Sequence, residues 1–114
     1  NEVTLAEGVT PNGFNGYDPA AFMPNADPAL AARAVAAMVE FNRPSAKTHS
    51  GIWRDLAVRK RRTEVDVQIA PIYQIGGRHG LPCPTLRRLV AMIHEVEAGK
   101  RALDDRNRRE LLAP

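Results

Sequence analysis

Apolar residues in this chain recur every three or four positions and nowhere alternate over the length of a strand. The clearest stretch runs from Thr85 to Ala98. Leu86, Leu89, Val90, Ile93 and Val96 form one stripe there, while Arg87, Arg88, His94, Glu95 and Glu97 fall mostly off it. Gly99 supplies a stop. An earlier run behaves the same way: Asp27-Pro28 is a start signal, and Leu30, Ala34, Met38 and Phe41 then share a face up to about Asn42, where Pro44 forbids continuation. This periodicity predicts an all-α fold of five or six helices with no sheet.

Glycine and proline mark the remaining boundaries. Asn1 to Gly8 reads as the last two turns of a helix that ends on Gly8, so the chain is expected to be part of a longer polypeptide. Thr10 to Pro19 is a loop dense in Gly, Pro and Asn, and Asp18-Pro19 opens a short turn of helix. Another helix is expected over Lys47–Val58, followed by the basic connector Arg59-Lys60-Arg61-Arg62. Thr63 and Asp66 resemble a capping box that starts a helix running to about His79, with Val65, Ile69, Ile72, Tyr73 and Gly76 on one face and Pro71 kinking it or leaving a carbonyl unpaired. Gly80 stops it, and Lys100 to Leu112 forms a polar last helix.

Composition narrows the function classes. With 114 residues the chain is expected to be a single domain, and 44% hydrophobic against 25% charged residues is globular rather than disordered. No apolar stretch approaches the roughly 20 residues of a membrane span, and no targeting segment is visible, which makes a cytoplasmic protein the expectation. The single cysteine, Cys83, excludes an intrachain disulfide and argues against a cysteine-based metal site; between two prolines it reads as a small buried side chain. A formal charge of +3 permits an anionic partner without identifying one.

Few residues point to chemistry on their own. The dinucleotide, P-loop, zinc-protease and nucleophile-elbow motifs are missing. Gly76-Gly77-Arg78-His79-Gly80 follows a helix rather than a strand, so it reads as a helix end. His49, His79 and His94 are too widely spaced for a ligand set and read as separate surface or helix-end residues; no metal is expected. Arg59 to Arg62 reads as a solvated turn, with an anionic cofactor or partner helix and nucleic acid as the rival readings. Glu64, a carboxylate in the first turn of a helix, either complements the helix dipole or accepts hydrogen bonds from ligand hydroxyls.

Three segments carry a resemblance. Ser50-Gly51-Ile52-Trp53-Arg54-Asp55-Leu56, Arg62-Thr63-Glu64-Val65-Asp66 and Arg78-His79-Gly80-Leu81-Pro82-Cys83-Pro84 resemble the C-terminal domain of the ketopantoate reductase (2-dehydropantoate 2-reductase) family. The corresponding family patterns are Ser-Ser-Met-x-x-Asp, Arg-x-Thr-Glu-Ile-Asp and His-Gly-x-x-x-Pro. The strong part spans about Lys47 to Glu97. Gly51 stands where the family has its second serine, one extra residue separates Asp55 from Glu64, and Ile69-Ala70 replaces an Asn-Gly pair.

The resemblance implies an all-helical, substrate-closing domain over residues 1–114, like the C-terminal domain of 6-phosphogluconate-dehydrogenase-like reductases. It implies a partner Rossmann domain of the same protein that holds most of the NADPH, and a reaction in which hydride reduces a small 2-oxo acid, 2-dehydropantoate, to pantoate. Glu64 is implied to reach the cofactor's ribose side, with Ser50 or Gly51 beside the substrate carboxylate and Asp55 and Thr63 as structural supports. The family's catalytic lysine lies upstream of Asn1, and neither Lys47 nor Lys100 sits in its motif. No catalytic residue is therefore expected in this chain, which alone should not transfer hydride. The rival expectation is a stand-alone helical interaction domain, a homodimer through an apolar helix face, without catalysis; DNA or RNA binding and membrane binding are not expected.

Overall fold

The computed structural model describes residues 1–113, in two compact units. The first is Asn1–Thr48 and the second begins at His49. The described residues are helical, with no strand; Phe14 and Tyr17 form an isolated bridge around a tight turn.

In the first unit, α1 (Glu2–Ala6) leads through that turn to a short 3-10 helix, Pro19–Phe22, and then to α2 (Pro28–Asn42). Both prolines sit in the first turn, where a missing N–H costs nothing. The aspartate before each one accepts a backbone hydrogen bond, Asp18 from Ala20 and Asp27 from Ala29. Gly16 explains the turn's packing: it has φ +84°, and a Cβ there would lie 2.6 Å from the Ala37 carbonyl on α2. Tyr17 donates to Asn1 at 2.6 Å and stacks on Phe22. Leu30, Ala34 and Met38 turn inward as the periodicity predicts, but Phe41 on the same stripe is 54% exposed.

The second unit opens with α3 (Gly51–Arg54), which passes into a π-helical turn over Asp55–Arg59. The helix expected from Lys47 therefore starts later. Ser50 is its cap, its Oγ accepting from the Trp53 amide at 3.1 Å, which fixes the first turn there. His49 stacks on Trp53 with ring centres 3.7 Å apart.

The helix expected over Thr63–His79 is two helices, α4 (Val65–Gln68) and α5 (Ala70–Arg78). Pro71 sets the break: it has no N–H to donate and its ring would strike the carbonyl four residues back, so α4 stops and Pro71 falls in the first turn of α5. The break also shifts the buried face. Val65 and Ala70 are fully buried, whereas Ile72 is 42% exposed.

α6 (Pro84–Glu97) is the central helix, in contact with α4, α5 and α7. Leu56, Val65, Val90 and Ile93 form the core, with Ile52, Ile69, Tyr73, Leu89 and Val96 packed around it. Fully burying each such aliphatic side chain contributes about 1.5–3 kcal/mol. Arg87 ties α5 to α6: its guanidinium lies over the Tyr73 ring and its Nε donates to the Pro82 carbonyl at 2.8 Å. Cys83 is half-buried, not buried, in a left-handed conformation just before α6.

Gly99 ends α6 at φ +70°, a conformation that would strain a side chain. Its amide bonds to the Val96 carbonyl and that of Lys100 to Glu95, the paired bonds of a Schellman stop. The same pair of bonds closes α1 at Gly8 and α5 at Gly80. The final helix, α7 (Arg106–Leu112), is shorter than the Lys100 to Leu112 reading because Asp104 restarts the helix by accepting from the Arg106 amide at 2.8 Å.

Candidate functional site

Asp55 organises the turn that carries the basic run. Its side chain is buried, and one oxygen, Oδ1, accepts from Arg59 at 2.9 Å and Arg61 at 2.8 Å. Its carbonyl accepts the Arg61 amide at 3.0 Å, and Lys60 turns the chain with φ +53°. The two guanidinium groups, Arg59 first, hold the Asp55 carboxyl below the usual carboxylate range. Arg62 pairs with Asp66 at 2.9 Å. The connector is a surface turn as expected, and three of its four cations are also engaged by carboxylates of this chain.

Those carboxylates lead into a larger network around Glu64. Thr63 is buried, and both its amide and its hydroxyl donate to Glu97 Oε1 at 2.7 Å. The other Glu97 oxygen lies 2.7 Å from His94 Nδ1. His94 Nε2 lies 2.8 Å from Asp66 Oδ1. The residues flanking Glu64 on both sides are therefore tied to α6. Thr63 is a weak cap, its hydroxyl accepting from Val65 at 3.3 Å, and Asp66 is not the far member of a capping box; it belongs to the ion-pair network instead.

The electrostatics follow from the contacts. Glu97, then Asp66, raise His94 above the ordinary imidazole value. His94, then Arg62, lower Asp66. Burial pushes the Glu97 carboxyl up, but the Thr63 and His94 hydrogen bonds outweigh it and leave the group below its usual range.

Glu64 itself points to solvent. One of its oxygens accepts from Gln68 Nε2 at 2.8 Å, one turn along. An exposed carboxylate of this kind can accept hydrogen bonds from hydroxyl groups.

Two open clefts flank this part of the unit. An apolar one of about 520 Å³ lies among α3, α6 and α7 with the segment leading into it, with Trp53, Leu89, Met92 and Leu111 in its walls and Ser50 at its edge. The second, about 450 Å³, runs between the basic turn and the end of α6, past Lys60, Arg61, Arg62, His94 and Glu97. Neither Gly51 nor Glu64 lines either cleft. Ser50 Oγ accepts from the Trp53 amide as the α3 cap, and a serine hydroxyl also has a proton to donate. Gly51 is exposed, and a Cβ there would touch nothing within 4 Å.

Sequence reasoning missed the roles of His94 and Glu97. Their i, i+3 spacing on the polar side of α6 was visible, but their partners lie 28 and 34 residues away. It also placed Met92 on neither face, although Met92 is buried on the side of α6 that meets the apolar cleft. Among the described residues there is no cluster of His, Cys, Asp and Glu suited to a metal ion, and no helix is long and apolar enough to cross a membrane.

The family model for the C-terminal domain of ketopantoate reductase PanE/ApbA matches residues 8–97. The match takes in the α3 cap, the basic turn, the Glu64 segment and α6, and ends at Glu97. Comparison with curated proteins and with solved structures gives no match.

Proposed function

Since this chain belongs to the ketopantoate reductase C-terminal domain family, we propose that it is the substrate-closing helical domain of an NADPH-dependent, cytoplasmic reductase of small 2-oxo acids, with 2-dehydropantoate as the substrate. The partner is a Rossmann domain of the same protein, which holds most of the dinucleotide. NADPH supplies the hydride when bound.

The residues of this domain bind and orient. Glu64 accepts a hydrogen bond from a cofactor hydroxyl. Ser50 donates its hydroxyl proton toward the substrate carboxylate, and Gly51 leaves room beside it. Asp55 and Thr63 hold the two segments in place. No proton transfer is assigned to a residue of this chain.

The observation that carries this reading is Glu64: an exposed carboxylate whose flanking residues, Thr63 and Asp66, are both fastened to α6, within the span that matches the family. The test is an assay of the full-length protein with NADPH and a series of branched 2-oxo acids. The reading expects oxidation of NADPH, fastest with 2-dehydropantoate. No oxidation with any member of the series would overturn it.

A second reading is favoured by α2, where Val35 and Val39, one turn apart, are each about half exposed. It makes the chain a helical association module that forms homodimers through this face. Light scattering at high concentration separates the two: a monomer removes the association reading, and a dimer lost in Val39→Asp supports it.

A further inference from the structure

His94 has a carboxylate against each ring nitrogen, Glu97 Oε2 at 2.7 Å from Nδ1 and Asp66 Oδ1 at 2.8 Å from Nε2. A carboxylate only accepts, so both contacts are hydrogen bonds only when both nitrogens carry protons. A neutral ring would turn one lone pair toward a carboxylate oxygen. The two carboxylates in turn hold the chain on either side of Glu64: Glu97 takes the amide and hydroxyl of Thr63, and Asp66 lies two residues beyond Glu64, at the start of α4.

We propose that His94, as an imidazolium pinned between Glu97 and Asp66, is the positioning residue for Glu64, so that one proton fixes the segment Thr63–Asp66 on α6 and its loss frees it. This rests on the reading of Glu64 as a cofactor-contacting carboxylate. His94 touches no substrate; it acts through the backbone that carries Glu64.

The charged groups around the ring fit this role. Besides Asp66 from α4 and Glu97 from α6, the cleft beside His94 is lined by Lys60, Arg61 and Arg62. Arg62 is engaged by Asp66 and Arg61 by Asp55, which limits their repulsion of the imidazolium. The balance favours the charged ring, in line with the raised His94 value. The sign follows. A raised imidazole contributes its full stabilisation below the ordinary value near 6.5 and loses it as pH climbs through the raised one. The lowered carboxylates contribute above their ordinary values of about 4 and fail only as pH falls through the lowered ones. The clamp therefore contributes its full stabilisation from about pH 4.5 to about pH 6.5, and it opens on the alkaline side as pH climbs through the raised His94 value.

NMR on the isotopically labelled 114-residue chain tests this directly. The His94 ring should titrate above the ordinary histidine value, and the backbone amides of Thr63, Glu64 and Asp66 should follow the same curve with the same midpoint. In His94→Gln that curve should vanish from the three amides while the signals of Val90 and Ile93 stay in place. Glu97→Gln, which keeps an acceptor for Thr63 but removes a charge, should lower the His94 midpoint. A flat Glu64 amide beside a titrating His94, or a His94 midpoint at or below the ordinary value, would overturn the proposal.

The functional readout comes from the full-length protein. The KM for NADPH should rise about three- to tenfold as pH climbs through the His94 midpoint, with kcat at saturating NADPH little changed, and this rise should be missing in His94→Gln. If the amides follow His94 but NADPH does not bind at any pH, the clamp stands and the cofactor reading of Glu64 falls. If NADPH binds with a KM that ignores the His94 midpoint, the positioning role falls and the cofactor reading stands.

Discussion

Thr63 gives Glu97 both of its donors: amide and hydroxyl reach the same carboxylate oxygen, each at 2.7 Å, across 34 residues of sequence. Thr63 is buried, so nothing else stands ready to take those donors. Glu97→Ala should cost about 1–3 kcal/mol, because it strands two buried donors as well as one partner of His94. Glu97→Gln should cost less, since its carbonyl still accepts. Urea unfolding measures both, and an alanine variant within about 0.5 kcal/mol of the parent, the range of ordinary surface changes, would deny Glu97 this role.

Asp55 holds Arg59 and Arg61 on one oxygen, and its own carbonyl closes the turn beneath them. Asp55→Asn removes the charge but keeps the shape. The loss of stability should be smaller than a fully buried pair would give, because both arginines are half exposed. The released run Arg59 to Arg62 should also be cut faster by trypsin in the native protein. Unchanged cleavage would show that the turn does not depend on Asp55.

The last helix is held by charge rather than by burial. α7 has no buried residue, while Glu110 pairs with Arg101 and Arg88, and Arg101 also reaches Glu95 and Asn107. Arg101, then Arg88, pull the Glu110 carboxyl down to about 2. A lowered carboxylate contributes above its ordinary value and is lost as pH falls through the lowered one, so α7 should stay docked at neutral pH and loosen between about pH 4.5 and pH 2. It should loosen at neutral pH in about 1 M salt, where screening acts within about 3 Å. Hydrogen exchange over Arg106–Leu112 reads this, and protection indifferent to salt would mean that apolar contacts hold the helix instead.

What could be read from sequence was local. The starts at Asp18-Pro19 and Asp27-Pro28 and the stops at Gly8, Gly80 and Gly99 are encoded within a few residues, and each appears in the structure. The α6 stripe follows from spacing alone, and the family resemblance followed from motifs whose residues are close in sequence. Where the sequence misled, a distant partner had decided the outcome. Asp66 looked like a cap because Thr63 stands three residues before it, yet Arg62 and His94 claim it. The basic run lies at the surface as read, but its pairing was hidden, because Asp55 reaches back beneath it only through a π-helical turn. Pro71 was visible, but its consequence was a new helix and a shifted buried face rather than a kink.

The central claim is that Glu64 contacts NADPH in a 2-oxo acid reductase. The most direct test is the NADPH dependence of 2-dehydropantoate reduction by the full-length protein and its Glu64→Ala variant. Reduction by the parent is expected, with a KM for NADPH raised about tenfold in the variant, equivalent to about 1.4 kcal/mol of lost binding. Equal kinetics in the two proteins would remove Glu64 from the site, and a parent that leaves NADPH unoxidised would contradict the reductase account itself.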